Sequence, residues 1–397
     1  MTGASEPPRG GARILAELSD GRSYTVAEIS SATGLSRSAV VQSLAHLEDG
    51  GDVRRHEPRR SGRGRPSHGW SLRSAPGPIV VVVAAAHGTT VGVVRADGSV
   101  VAARQARALD GNRHGRRAHG MTALLDRALD DAGIEATDVA LGVVGLPGAS
   151  GFTSRNGTTG TDEAVTSEHL SRFRIWDGVD PWVVLSERLH CPVVTENDAN
   201  LAALGEALHG AGRTRESVLF VSLANGTGAG LVLSGRLHRG HSRLAGEIGH
   251  LHADDDGRLC HCGARGCFWH TRSFPALLDE LARAHGRTFT TRDVAEAAAR
   301  DESDVVRALH GLGHALGRRL ADAVVFLDPD AIVLDGALGA ATRDIASGVS
   351  QAIHRYAPPP MARSCAVVPG LLGRHAPLVG AAALAKSERL LAVAAVG

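Results

Sequence analysis

The hydrophobic rhythm changes near residue 78 and divides the chain into a small head and a long body. In the head, Ile14, Leu15 and Leu18 recur at helical spacing over 11–18. Thr25 is placed to cap a short helix over 26–32. Gly34 supplies a turn, Ser36 a second cap, and 37–47 a second helix with Leu44 and Leu47 on its core side. Gly50 and Gly51 stop that helix, Val53 opens a strand, and Trp70, Ser71 and Leu72 return as its partner. Residues 74–78, with two prolines and a glycine, read as a stiff linker. Beyond it, the runs 79–86, 91–94 and 100–103 read as strands, with Asp97 and Gly98 as a hairpin turn. A helical pattern over 120–133 follows, then strands at 139–145 and 192–196. Strands at 217–223 and 230–233 flank a glycine-rich turn over 225–230. This alternation predicts an α/β body of mixed sheets in two layers, with a cleft between them. Pro147 and Gly148 open a polar loop running to residue 166.

Two short helices about the turn Thr33-Gly34-Leu35 match a helix-turn-helix. In that geometry Ser36, Arg37, Ser38, Val41 and Gln42 lie on the helix that enters a major groove, where hydroxyls and an amide reach phosphates or base edges. Arg59, Arg60, Arg63 and Arg65 form a basic tip between the two strands, suited to a narrow minor groove. The head resembles the winged helix-turn-helix of bacterial repressors, and a double-stranded DNA operator is the partner expected. The alternative is a small helical domain for protein contacts, its arginines serving only solvation.

Composition adds bounds. At 397 residues the chain can hold two or three domains with sizeable cores. Its 43 basic and 42 acidic side chains cancel, so net charge says nothing about partners. The basic side chains are almost all arginine; Lys386 is the only lysine. Residues 1–10 are polar, expected to be flexible, and lack the apolar core of a signal peptide. The longest apolar run, 79–86, is too short to span a bilayer. A cytoplasmic location without a membrane partner is expected.

Three of the five cysteines, Cys260, Cys262 and Cys267, fall within eight residues. In a chain without a secretory signal that density points to metal rather than disulfides. Gly263 and Gly266 allow a tight turn that brings Cys267 back as a third ligand. A tetrahedral zinc site needs a fourth, and His250 is the best placed, with His252, His261 and His270 as competitors. Four protein ligands leave no position for water, so the zinc is expected to be structural, one per chain. Buried or redox-active thiols are the alternative.

Glu196-Asn197-Asp198-Ala199-Asn200, Gly246-Glu247-Ile248-Gly249-His250 and the cysteine spacing together resemble the ROK family (repressor, open reading frame, kinase). The likeness extends from the winged helix through 328–334 to 377–382. It implies an actin/hexokinase-like (ribonuclease H-like) body of two α/β lobes with a sugar site between them. The expected division is head 11–75, first lobe 76–195 joined by the C-terminal helix 378–397, and second lobe 196–377 with the zinc loop, sugar site and dimer interface. Family sugar contacts carry over onto Asn197, Asp198, Glu247 and His250, and Gly148 and Trp269 are counted with them. In kinase members the aspartate matching Asp198 takes the proton from the attacked hydroxyl, so here it marks a vestigial general-base position. A purely capping role for Asn197 and Asp198 is the alternative. Family members usually carry a glutamate where Trp269 stands; Trp removes an acceptor and adds an apolar face.

The phosphate loops also depart from the family. Ala85 stands for an aspartate and His87 for a glycine, and the second loop reads Ala224-Asn225-Gly226-Thr227-Gly228. Asp335 places a carboxylate in the glycine-rich adenosine segment. The expected function is a sugar-responsive transcriptional repressor, a homodimer or homotetramer that does not catalyse. The rivals are a sugar kinase with a regulatory head, and a DNA-binding regulator that needs no ligand.

Overall fold

The computed structural model describes residues 10–18, 22–49, 52–58, 67–72, 77–85, 88–107, 114–148, 181–223, 226–260 and 262–387. In the head, α1 (Gly11–Glu17), α2 (Val26–Thr33) and α3 (Arg37–Asp49) enclose Ile14, Leu18, Ile29, Val40, Leu44 and Leu47, all buried. Thr25 begins α2 through a reciprocal capping box. The Glu28 amide donates to Thr25 Oγ1 at 3.3 Å, and Glu28 Oε2 accepts from the Thr25 amide at 2.7 Å. Strands β2 (Val53–Arg55) and β3 (Gly69–Leu72) pair antiparallel, as the sequence suggests. One strand was not anticipated: β1 (Tyr24–Thr25) pairs with the other edge of β3. Two residues leave no period to read.

The body repeats one sheet plan twice. The first sheet has the order β6-β5-β4-β7-β8, from β4 (Ile79–Ala85), β5 (Gly88–Val94), β6 (Val100–Arg107), β7 (Leu141–Leu146) and β8 (Val193–Asn197). The second has the order β11-β10-β9-β12-β13, from β9 (Val218–Ser222), β10 (Gly228–Leu233), β11 (Arg236–His238), β12 (Ala331–Leu334) and β13 (Ala366–Pro369). In each, three strands form an antiparallel meander and two more add in parallel. Helices α4 (His114–Ala132) and α5 (Pro181–Leu189) cover the outer face of the first sheet, burying Met121, Leu125 and Leu185.

Between the sheets lie α6 (Asp198–His209) and, from the far end of the chain, the last helix (Ala376–Ser387). Their core takes Val81 and Val143 from one sheet and Phe220 and Val333 from the other. The two helices cross closely: a Cβ on Gly380 would stand 1.7 Å from the Leu201 carbonyl oxygen, so no larger residue fits. The last helix begins two residues earlier than expected and also packs Leu378 against Gly92 of the first sheet. Glu206, fully buried on α6, accepts from the amides of Ala211, Leu371 and Leu372 at 2.8–3.1 Å and ties that helix to the end of β13.

The outer face of the second sheet carries α7 (Phe268–Thr271), α8 (Phe274–His285), α9 (Thr291–Ala299), α10 (Ser303–Leu327), α11 (Ala341–Tyr356) and α12 (Pro359–Ser364); the last helix is therefore α13. One expectation needs correction. Gly228, expected in the turn, belongs to β10, and Gly230, expected at the start of that strand, lies two residues inside it, because α6 presses on the strand. A Cβ on Gly230 would stand 2.5 Å from the Cβ of Ala203. Among the described residues no helix is long and apolar enough to cross a membrane.

Candidate functional site

The candidate site is built where β8 runs into α6. Asn197 caps that helix: its Oδ1 accepts from the Asn200 amide at 3.0 Å, and its Nδ2 donates to the Gly148 carbonyl at 2.7 Å. Gly148 thus holds Asn197. Asp198 follows, with Oδ1 accepting from the Ala199 amide at 2.8 Å. Burial pushes the Asp198 carboxyl up to about 6, and the charges of Asp335 and Glu247 add to the shift. Burial also raises Glu247. Asp198 follows β8 of the first sheet and Glu247 the segment after β11 of the second. The charge of Glu247 acts on Asp198, whose carboxyl at about 6 changes protonation close to neutrality. Such a group exchanges protons with, or accepts from, the hydroxyls of a ligand.

Beneath this pair lies an ion pair. Arg239, just after β11, donates from Nε to Glu196 Oε2 at 2.7 Å; the Glu196 side chain is 1% exposed. The other Glu196 oxygen accepts from the Asn197 amide and from Asn200 Nδ2, each at 2.9 Å. Glu196 was visible in the sequence only as part of a motif. Nothing in the pattern singled out Arg239, because its partner lies 43 residues away.

Asp335, at the end of β12, accepts from the Ala337 amide at 2.9 Å and the Leu223 amide at 3.4 Å. It is buried, and its charge faces Asp198. Of the altered phosphate-loop positions, His87, Ala224 and Asn225 lie outside the described residues. The backbone of Ala85 pairs with Gly88 at the end of the β4–β5 hairpin. Trp269, on α7, packs against the second loop, with Cζ3 3.7 Å from where a Cβ on Gly226 would stand.

The metal-ligating candidates converge. One ligand atom each from His250, Cys260, Cys262 and Cys267 lies within 4.8 Å of the others. His250 Nδ1 is 3.6 Å from Cys260 Sγ, and Cys262 Sγ is 3.6 Å from Cys267 Sγ. A tetrahedron with bonds of about 2.3 Å has edges of about 3.7 Å, so this donor set fits zinc. Burial and the neighbouring thiols push Cys267 up to about 12, a penalty that a divalent cation bound to the thiolate would reverse. His250 Nε2 points the other way, 3.9 Å from Glu247 Oε2, so one imidazole links the metal cluster to the cleft. His252 is instead exposed beside Asp255, and His270 meets Arg258; His261 lies outside the described residues.

In the head, Ser36 Oγ accepts from the Ala39 amide at 3.3 Å and starts α3. Ser36, Arg37, Ser38, Val41 and Gln42 are all exposed along one face, while Val40, Leu44 and Leu47 face the core. Arg59, Arg60, Arg63 and Arg65 lie outside the described residues, as does the expected loop from 149 to 166.

The profile of the ROK family matches residues 86–388, and that of the MarR family matches residues 8–64. The chain is 29% identical over 205 residues to the xylose repressor of Bacillus spizizenii, covering 52% of this chain and 53% of that one. It is 31% identical over 217 residues to a glucokinase of Streptomyces coelicolor, covering 50% and 68%. The chain spans about half the length of the xylose repressors it matches. A crystal structure of a ROK family transcriptional regulator, a homolog of the E. coli MLC protein, superposes with a TM-score of 0.72. That superposition covers 97% of this chain and 98% of that one at 20% identity, a likeness of fold. A ROK family glucokinase from Streptomyces griseus, in complex with glucose and AMPPNP, gives 0.64 over 78% of this chain and all of that one at 25% identity.

Proposed function

Because the chain belongs to the ROK family, we propose that it is a sugar-responsive transcriptional repressor whose kinase-like body senses a sugar without catalysis. The observation that carries this reading is the union, in one chain, of a winged-helix head with an exposed α3 face and a body that gathers Asn197, Asp198 and Glu247. Residues 11–75 read DNA, with Ser36, Arg37, Ser38, Val41 and Gln42 in the major groove and the wing arginines in the minor groove. Residues 76–195 with the last helix, and residues 196–377, are the two lobes that close on the sugar.

His250, Cys260, Cys262 and Cys267 hold one zinc ion, which fixes the wall carrying Glu247 and has no open coordination position. Gly148 orients Asn197, and Trp269 supplies an apolar face beside the Gly226 loop. The working form is a cytoplasmic homodimer or homotetramer, since paired heads match a pseudo-palindromic operator.

The absence of catalysis rests on charge. Phosphoryl transfer needs donors and cations around the phosphates, whereas Asp335 brings a third carboxylate toward Asp198. A kinase remains the second reading, favoured by Asp198, whose carboxyl near 6 suits a general base. The deciding experiment selects operator fragments from random duplexes and titrates them with D-xylose, D-glucose and N-acetyl-D-mannosamine, with ATP turnover measured in parallel. Weakened or tightened operator binding with one sugar and no turnover supports the repressor. Turnover supports the kinase, and absence of DNA binding removes the head's assigned role.

A further inference from the structure

We propose that Arg239 is the positioning residue of the sugar site, holding its two halves in register between the two sheets of the body. The inference rests on the sugar-sensing reading of the cleft. Its side chain acts on one half: Nε donates to Glu196 at 2.7 Å, and Glu196 in turn receives the Asn197 amide and Asn200 Nδ2. Those bonds fix the turn that presents Asn197 and Asp198. Its backbone acts on the other half: the Arg239 carbonyl accepts from the Ala245 amide at 3.1 Å. The next residue, Gly246, accepts from Ala229 of β10 at 2.7 Å and leads directly into Glu247.

The two ends belong to different sheets. Glu196 pairs with Gly145 in the first, and Arg239 directly follows β11 in the second. The Glu196 carboxylate is 1% exposed against 17% for Arg239, so the pair is held in one geometry by a carboxylate that finds no water when the arginine leaves. One arginine therefore sets how far Asp198 stands from Glu247, and any rotation of one sheet against the other must carry or break its bond.

Arg239→Met tests this, with the double variant Arg239→Met, Glu196→Gln to remove the stranded carboxylate should the single variant fold poorly. Amide hydrogen exchange is followed in the unliganded protein, and binding of D-xylose and D-glucose is measured by calorimetry. Exchange should rise at least about tenfold in both 196–200 and 245–250 while α10 and α11 stay protected, and added guanidinium should restore protection in the single variant. Unchanged exchange in either segment, or a uniform rise across the body, overturns the proposal. A wild-type protein that binds neither probe sugar bears on the sugar-sensing reading alone, since the exchange result decides the role of Arg239 without ligand.

Discussion

The ammonium group of Lys386 lies 3.5 Å from the Tyr24 hydroxyl and 5.7 Å from the centre of its ring. The chain's only lysine thus joins the last turn of α13 to the first strand of the head, with Glu17 of α1 at 3.9 Å. A cleft of about 610 Å³ opens here between head and body, and Leu208 and His209 at the end of α6 line it. The start of that helix is the turn with Asn197 and Asp198, about 18 Å away at 1.5 Å per residue. One helix runs from the proposed sugar site to the cleft beside the head.

Lys386→Met should therefore weaken the link between the sites rather than either site. We expect sugar affinity to be unchanged, while the sugar-induced change in operator affinity falls about threefold. That corresponds to the ~0.5–1 kcal/mol such a part-exposed contact supplies. Equal coupling in variant and wild type would separate this contact from signalling.

Asp198 predicts a pH dependence. Its folded carboxyl, at about 6, lies above the ordinary 3.8, so between those values the folded state holds a proton that the unfolded chain has released. Its contribution to stability is complete below the lower value and is lost as pH rises through the upper one, with a slope of at most about 1.4 kcal/mol per pH unit. Denaturant unfolding between pH 4 and 7 should show this slope, and Asp198→Asn should flatten it.

The metal cluster predicts a loss confined to one loop. Cys262→Ser removes an exposed ligand beside the buried Cys260 and Cys267, so bound zinc should fall well below one per chain and the region from 250 to 270 should become protease-sensitive. Zinc affinity in the wild type should rise with pH, because the thiols must lose their protons and burial has raised Cys267. Metal analysis of the purified variant gives the answer; a full complement of zinc means another ligand set.

The head predicts a salt effect. Each arginine that meets a phosphate contributes close to one unit of the slope of log affinity against log salt. Arg37→Ala, and separately Arg63→Ala with Arg65→Ala, should lower that slope by about 0.9 per phosphate contact removed. Fluorescence anisotropy on a selected operator at several salt concentrations measures it, and an unaltered slope would take those residues off the DNA.

Much of this architecture was legible along the chain. Caps at Thr25 and Ser36, the paired segments at Val53 and Trp70, and the unbroken valines of β4 act through neighbours a few residues away, so local pattern alone places them. The cysteine spacing worked for the same reason: three thiols within eight residues converge on one point whatever the rest of the fold does. Short-range order of this kind is written in the sequence because the physics that enforces it is itself short-range.

Other features depended on distance. The Arg239–Glu196 bond, the crossing of Gly380 with Leu201, the clamp of Glu206 on Leu371 and Leu372, and the meeting of Lys386 with Tyr24 join residues separated by 43 to 362 positions. None has a period or motif. The glycine at 228 looked like a turn because its neighbour, Ala199, lies on another element. The raised carboxyl of Asp198 likewise exists only because β8, β12 and the Glu247 loop meet, excluding water and setting like charges side by side. Sequence determined which elements form and which residue types line them. Tertiary packing alone decided which side chains share a dielectric, and hence which charges are paired, shifted or able to sense a ligand.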